Sequence, residues 1–275
     1  MTRVARAANW LTIVATGVSA TVWLLTATPG AQSTKVDLSK ETVGKPPTTF
    51  EAQMGTWVVA QDGPDKVIKV DGEAFKATLS TPERLLLDSA RKLYGTTNED
   101  LMDNAKQFTM FPIAIMKNSP TFSNGTITVK FKTIAGNADR ASGILFNVKP
   151  NGDWLCARYN DTDQNMGLWE FHNGIRRNLR FSDRAQPVSL DKNVWHDLKL
   201  VVADASIKLF INEKLAIDYT LGATPGPGRN GAAPNPDLFP ENNPVLRPPV
   251  NGKVGLWSKT DSTVEFKDYT ITQVK

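Results

Sequence analysis

The sequence has very few of the residues that build disulfides and metal centres. Cys156 is the single cysteine among 275 residues, so a disulfide within the chain and a cysteine-rich metal site are excluded. The two histidines, His172 and His196, are too few for a multi-histidine metal centre. Neither lies in a sequence context typical of a serine or cysteine nucleophile. These shortages leave a fold without an internal disulfide, without a cysteine-rich or multi-histidine metal centre, and without a recognisable nucleophilic triad.

The sequence also lacks a strong excess of charge of either sign. The formal net charge is +4, and it falls to +2 when Arg3 and Arg6 of the N-terminal segment are left out. A charge this small does not indicate binding to nucleic acid or to an anionic membrane surface. We therefore expect no nucleic-acid partner.

The first 33 residues have the three parts of a secretory signal peptide. Arg3 and Arg6 form the charged start, Trp10 to Thr26 the apolar run, and a stretch of small residues ends at Ser33. We expect cleavage after Ser33, a secreted or periplasmic location, and no membrane association once the signal is removed. The alternative is an uncleaved anchor, because the apolar run is near the lower limit for a membrane span, roughly 17 to 25 residues.

Short alternating segments separated by turn residues dominate the rest of the chain, residues 34–275. In one of them Ile127, Val129 and Phe131 alternate with polar residues, which predicts a strand with one buried face. Many such strands predict an all-β chain that folds as one antiparallel sandwich. The predicted strands are approximately Trp57–Ala60, Val67–Val70, Gly125–Ile134, Ser142–Val148, Trp154–Tyr159, Gly167–His172, Arg176–Phe181, Trp195–Val202, Ile207–Asn212, Leu215–Tyr219, Gly252–Trp257 and Thr263–Gln273.

Two inserts interrupt this pattern. Residues 82–94 are predicted to form one short amphipathic helix, with Thr81 as its N-cap and Gly95 at its end. Residues 222–250 are rich in proline and glycine, and we expect them to form a mobile loop at a rim of the sandwich. On this interpretation, shortening the loop preserves folding, because loop-closure entropy changes slowly with length.

The aromatic and large aliphatic residues of the strands are the predicted core. Trp169 is also expected to fill the core, and His196 is expected to be a solvated or edge histidine that points away from its neighbour Trp195. The predicted core residues are Trp57, Phe131, Trp195, Leu198, Leu209, Trp257 and Phe266.

Several segments of the chain carry a resemblance to a known family through their order and spacing. They are Gly44–Phe50, Gly55–Val59, Gly143–Phe146, Ala157–Asn160 with Asn165, Trp195–Leu198 and Gly252–Ser262. Together they resemble the concanavalin A-like lectin/glucanase jelly roll, and within it a bacterial secreted group related to the 3-keto-disaccharide hydrolases and to laminin-G-like domains. The resemblance implies a jelly-roll sandwich that binds or processes a glycan. Members often carry arginine where this chain has Asn147, which puts a retained activity in question.

The acidic residues between two predicted strands allow three interpretations. Asp163 and Glu170 are the candidate catalytic pair, because glycosidases of the common type need two carboxyl groups flanking the bond. Asp161 and Asp163, with Asn165, offer oxygen ligands for calcium, although the spacing lacks the glycine and glutamate of an EF-hand loop. A polar hairpin turn explains the same residues more simply. We therefore expect no required cofactor, with calcium as the open alternative.

The candidate ligand-binding residues are Arg158, Asn160 and Asn165. Arg158 and Asn160 share a strand face with Trp154 and Cys156, and guanidinium and amide groups suit sugar hydroxyls. The alternative is that this face is core, with Arg158 at its edge. Three functions stay open: a glycan-binding module, a hydrolase or lyase acting on a glycoside, and a laminin-G-like protein-interaction domain.

Overall fold

Alternation of apolar and polar residues translates directly into strands in the computed structural model, which describes residues 30–72, 111–225 and 232–274. Each of the twelve predicted strands is present, with ends that shift by three residues at most. Strands β1, β2 and β5 were not predicted. The strands are β1 Gln32–Lys35, β2 Phe50–Met54, β3 Trp57–Asp62, β4 Asp65–Val70, β5 Ile113–Met116, β6 Gly125–Ala135, β7 Ala141–Val148, β8 Trp154–Asn160, β9 Asn165–His172, β10 Ile175–Phe181, β11 His196–Ala203, β12 Ser206–Ile211, β13 Lys214–Thr220, β14 Lys253–Ser258 and β15 Thr263–Gln273.

The strands form two antiparallel sheets. The eight-stranded sheet has the order β13-β12-β11-β6-β15-β4-β3, with β1 also paired to β15. The seven-stranded sheet has the order β10-β9-β8-β7-β14-β5-β2. Strands distant in sequence, such as β7 and β14, are neighbours, as expected of a jelly roll. The predicted all-β antiparallel sandwich is confirmed.

The main core lies between the two sheets. Ile127, Val129 and Phe131 of β6 point into it, and Leu155 and Ala157 of β8 reach it from the seven-stranded sheet. All five side chains are fully or almost fully buried. Burying an aliphatic or aromatic side chain of this size contributes about 1.5–3 kcal/mol. This core is therefore the principal source of stability and fixes which face of each strand points outward.

The predicted phase of strand β11 is wrong at its start. His196 is buried beside Phe131, with ring centroids 5.8 Å apart, and its Nε2 lies 3.0 Å from the carbonyl oxygen of Asp191. Trp195 is half-buried on the opposite side, where its Nε1 donates to Asp62 Oδ2 at 2.9 Å. Side chains alternate between the two faces of a strand, and Leu198 lies in the main core. His196 therefore points to the core as well, and Trp195 points to the opposite face. Trp195 is therefore not a core residue.

The second half of the 222–250 segment packs against the sandwich, which corrects the prediction of a mobile loop at a rim for this half. Pro236–Leu238 and Pro244–Leu246 form 3-10 turns. Val245, Leu246 and Val250 are buried in the main core. Shortening the whole segment would remove these side chains, so the expectation that folding survives does not follow from the structure.

Asn147 holds this segment in place. Its side chain is buried, its Nδ2 donates to the carbonyl oxygen of Val245 at 2.9 Å, and its Oδ1 accepts from the backbone N–H of Asn251 at 2.9 Å. Asn147, where the resemblance led us to expect an arginine, thus stabilises the fold at this position.

Three expectations concern parts of the chain that the structure describes incompletely or not at all. The predicted helix 82–94 lies outside the described residues. The predicted cleavage after Ser33 falls within β1, where Ser33 pairs with Thr272, so signal removal and a secreted or periplasmic location stay predictions. In the described ranges, no helix has the length and apolar content needed to cross a membrane.

Candidate functional site

A second apolar layer covers the surface of the seven-stranded sheet that turns away from the eight-stranded sheet, here called the outer face. Trp154 and Phe171 stack at 4.9 Å, and Phe111 stacks on Trp257 at 5.6 Å. Trp154, Phe171 and Trp257 are buried, as is Cys156 beside them. Leu155, Ala157 and Tyr159 point to the main core instead, so the predicted division of β8 between two faces is confirmed.

Two arginines and a tryptophan lie at one end of this layer and form what we call the arginine–tryptophan cluster: Arg158, Trp169 and Arg176. The guanidinium carbon of Arg176 is 4.0 Å from the Trp169 ring centroid, and that of Arg158 is 5.3 Å away. Arg176 also lies 4.7 Å from the Phe111 ring. Cation–π attraction holds both guanidinium groups against the rings. The cluster is therefore a positively charged patch on an aromatic base.

Backbone register explains why the side chains of Arg158 and Trp169 meet. Arg158 pairs with Gly167 across β8 and β9, and Trp169 follows two positions later on the same face. Gly167 provides the space for the indole, since a Cβ atom at this position would lie 2.5 Å from Trp169 Nε1. The indole thus lies close to the strand, where the guanidinium groups can cover it.

Several hydrogen-bond donors of the outer face are buried and have no acceptor among the residues that the structure describes. They are Arg158 Nε, Arg176 Nη1, Trp169 Nε1 and Trp257 Nε1. Leaving a buried donor unpaired costs roughly 1–3 kcal/mol, and more when the group is charged. Such groups call for an explanation, and an oxygen-rich ligand that accepts from them is one.

The electrostatics of the cluster follow from burial and from like charge. Removal from water, and to a lesser degree the neighbouring Arg158 guanidinium, lower the pKa of Arg176 to about 10. Burial also lowers the pKa of Arg158, and the nearby Asp163 carboxylate opposes this effect. Both groups remain cationic at neutral pH, so the patch attracts electron-rich ligands.

The predicted ligand-binding residues border this cluster on the outer face. Arg158 is only 3% exposed, and its Nη1 donates to Asp163 Oδ2 at 3.2 Å. The amide of Asn160 is used internally: its Nδ2 donates to Asp163 Oδ2 at 2.8 Å and to Asp139 Oδ1 at 3.0 Å. Asn165 pairs with Asn160 in register, and its Oδ1 is buried without a partner. Asn160 therefore shapes the turn, whereas Arg158 and Asn165 have free polar atoms.

An open cleft of about 480 Å³ begins at the same turn. Asp163, Asn165, Phe181 and Arg184 are among its lining residues. Phe181 packs edge-on against Trp169 with ring centroids 5.5 Å apart. The cleft thus adjoins the cluster through the contact between Phe181 and Trp169.

The two aspartates considered as calcium ligands are engaged by cations and amides. Asp161 accepts from Arg140 Nε, and Asp163 accepts from Arg158 and Asn160. No group of three or more metal-ligating side chains occurs within residues 30–72, 111–225 and 232–274. This donor set does not fit a calcium ion, which takes six to eight oxygen ligands.

The predicted meeting of Asp163 and Glu170 does not occur. Glu170 pairs in register with Leu155, so it points to the inner side of the sheet, whereas Asp163 lies with Arg158 on the outer side. The hypothesis that the two carboxyl groups flank one bond is therefore wrong. Alternation along β9 is the reason: Trp169 and Phe171 point outward, which turns Glu170 inward.

Glu170 instead belongs to a buried ionic network under the 236–246 segment. Its Oε1 accepts from Arg177 Nη1 at 3.0 Å, and its Oε2 accepts from Asn243 Nδ2 at 3.1 Å. Burial raises the pKa of Glu170 to about 7. His172 follows on the same face, with its Nδ1 2.7 Å from Asp153 Oδ2. The network joins β9 and β10 to the segment that covers them.

Sequence reasoning missed two members of the cluster. Trp169 is half-buried on the outer face and not in the predicted core, and Arg176 is not among the predicted ligand-binding residues. A signal was present: Met166 and Leu168 fix the inward phase of β9, which leaves Gly167 and Trp169 together on the other face. A glycine and a tryptophan two positions apart on one strand face indicate that the indole ring of Trp169 lies over Gly167.

A family model described as a 3-keto-alpha-glucoside-1,2-lyase-like domain matches residues 112–272. These residues include strands β5 to β14, nearly all of β15, and the entire arginine–tryptophan cluster. Among curated proteins, none matches this sequence.

Solved structures with this fold include carbohydrate-related proteins. The carbohydrate-binding module CBM66 from Bacillus subtilis is 15% identical with a TM-score of 0.50, over 82% of this chain and 96% of that one. A candidate glycosyl hydrolase from Parabacteroides distasonis ATCC 8503 is 15% identical with a TM-score of 0.47, over 90% and 94%. The cellulose-induced protein Cip1 is 15% identical with a TM-score of 0.46, over 88% and 97%. At 15% identity the likeness to the carbohydrate-binding module concerns the fold alone.

Proposed function

This chain belongs to the family of 3-keto-alpha-glucoside-1,2-lyase-like domains, and from that premise we propose that it binds a glycoside at the arginine–tryptophan cluster. The observation that carries the proposal is the set of buried N–H donors without acceptors, on Arg158, Trp169 and Arg176. Sugar hydroxyl and ring oxygens are acceptors, and several of them on one ligand can satisfy donors that converge from neighbouring strands.

Each residue has a distinct part in this proposal. Arg158 and Arg176 donate to ligand oxygens, and Trp169 supplies both an N–H and an apolar ring edge. Asn165 offers its free Oδ1 to a sugar hydroxyl, while Asn160 holds the turn through Asp139 and Asp163.

The structure favours glycoside binding over a hydrolysis mechanism that uses two carboxyl groups. Glycoside hydrolysis of the common type requires a pair of carboxyl groups, one on each side of the scissile bond. Asp163 is held by Arg158 on the outer face, and the other candidate, Glu170, lies on the inner side of the sheet. A bond held at the cluster is therefore not flanked by this pair.

The test is a binding and turnover measurement on a glycoside panel that includes 3-keto glucosides, by calorimetry and by mass spectrometry of products. We expect at least one glycoside to bind, and Trp169→Ala to weaken that binding about tenfold or more, because it removes an N–H donor and the ring that supports both arginines. Trp195→Ala is the matched control, since Trp195 is also half-buried but lies on the other sheet.

Three other outcomes have defined meanings. Equal effects of the two tryptophan substitutions would place the ligand elsewhere. Product formation that Trp169→Ala abolishes would move the enzyme hypothesis to first place. Absence of any glycoside interaction would contradict the proposal and favour the laminin-G-like protein-interaction hypothesis.

A further inference from the structure

Arg176 is a cation that has no counter-ion within residues 30–72, 111–225 and 232–274. None of the carboxylates in the described ranges lies within ion-pair distance of its guanidinium group, although ion pairs are found for Arg140, Arg158 and Arg177. Its guanidinium carbon lies over the rings of Trp169 and Phe111, 4.0 and 4.7 Å from their centroids. Its Nη1 is buried and has no acceptor. The group is thus removed from water on several sides without compensation.

The nearest carboxylates are engaged with other donors. Asp163 accepts from Arg158 Nη1 and from Asn160 Nδ2. Asp139 accepts from Lys259 Nζ at 2.9 Å, from Thr260 Oγ1 at 2.9 Å and from Asn160. Two arginines therefore lie over the ring of Trp169, and the half-exposed Asp163, which pairs with Arg158, is the single carboxylate among the described residues within ion-pair distance of either. The cluster carries a local excess of positive charge.

An excess of buried positive charge lowers the stability of a folded protein. A buried charge is ordinarily paired, and one that lacks a partner destabilises the fold. Guanidinium groups, moreover, present planar pairs of N–H donors that match the geometry of an anionic oxygen group. A ligand that brings a negative charge between Arg158 and Arg176 would supply the missing acceptor and the missing charge together.

We infer that the glycoside bound at the arginine–tryptophan cluster is an acidic one, with its carboxylate or sulfate group placed between Arg158 and Arg176. The inference rests on the proposed function, because it names the substrate class of the same site. Trp169 and the adjoining cleft lined by Phe181 and Asn165 would accommodate the neutral parts of the ligand.

The experiment compares ligands that differ only in charge. Oligosaccharides of uronic acids are paired with their methyl esters, and sulfated dextran oligosaccharides with unsulfated ones, in calorimetric titrations of the intact chain. We expect an acidic member to bind about tenfold or more tightly than its neutral counterpart, since hydrogen bonds to charged groups are the stronger ones. The pair that shows the preference identifies carboxylate or sulfate.

Substitution of Arg176 then locates the preference. Arg176→Gln should remove it, lowering the affinity for the acidic ligand to within about twofold of the neutral one. Arg180→Gln on the same strand is the control, because Arg180 is exposed, and it should keep the preference. Equal affinity for acidic and neutral glycosides, or a preference unaffected by Arg176→Gln, overturns the inference and leaves the proposed function standing. Absence of binding by every oligosaccharide overturns the proposed function itself.

Discussion

Replacement of Trp257 by alanine is expected to lower the free energy of unfolding by about 3–5 kcal/mol, the usual cost of truncating a buried aromatic residue. Trp257 is 1% exposed, stacks on Phe111 at 5.6 Å, and lies over Gly143, whose added Cβ would be 3.2 Å from its ring. The cavity left behind has rigid walls, because strands β5 and β7 flank it. Urea denaturation at constant pH measures the effect.

Trp195→Ala is the control that tests the assignment of faces. Trp195 is half-buried on the outer surface of the other sheet, with Lys132 and Lys267 over its ring at 5.0 and 4.4 Å. Its loss should cost less than half as much, because a surface ring leaves no closed cavity. Equal losses for the two variants would show that the outer face of the seven-stranded sheet is not a second core.

The stability of the protein is expected to fall as pH rises from about 5 to 8, through the network at Glu170. Burial raises the pKa of Glu170 from 4.5 to about 7, so the folded state holds a proton that the unfolded state has already released. Stability from this group is complete below pH 4.5 and is lost as pH rises through 7, a change of about 3 kcal/mol. The raised pKa of His172, which Asp153 favours, acts in the same direction.

Urea denaturation at pH 5, 6, 7 and 8 measures this dependence. Glu170→Gln should flatten it, since the amide cannot ionise yet can still contact Arg177 and Asn243. Other groups facing Glu170 are His172 and Tyr219, and the pKa of Tyr219 is itself raised by burial and by the Glu170 charge. Glu213→Gln, at a carboxylate with 74% side-chain exposure, is the control and should behave like the wild type. Parallel curves for wild type and Glu170→Gln would contradict the burial argument.

Strand positions were predictable because their signal is local. Alternation in β6 and β8 identified both faces of each strand, and the division of β8 into Leu155, Ala157 and Tyr159 against Trp154, Cys156 and Arg158 is the one observed. The wrong prediction for Trp195 came from not applying the same alternation to β11. Trp195 and Leu198 are three positions apart and cannot share a strand face, so both could not be core.

Long-range contacts explain what the sequence could not show. The 222–250 segment has little periodicity, and its buried residues Val245 and Leu246 are fixed by Asn147, about a hundred positions away. Arg176 resembles any exposed strand arginine until β9 brings Trp169 beside it. Among the described residues it has no counter-ion, which follows from how several strands together form the outer face. A local sequence pattern therefore could not predict it.

A crystal structure of the protein with its tightest-binding glycoside tests the central claim most directly. The account predicts ligand oxygens within hydrogen-bonding distance of Arg158 Nε, Arg176 Nη1 and Trp169 Nε1, on the outer face of the seven-stranded sheet. A ligand seated instead on the eight-stranded sheet, or against the Glu170 network, with these three donors still unpaired, would contradict it.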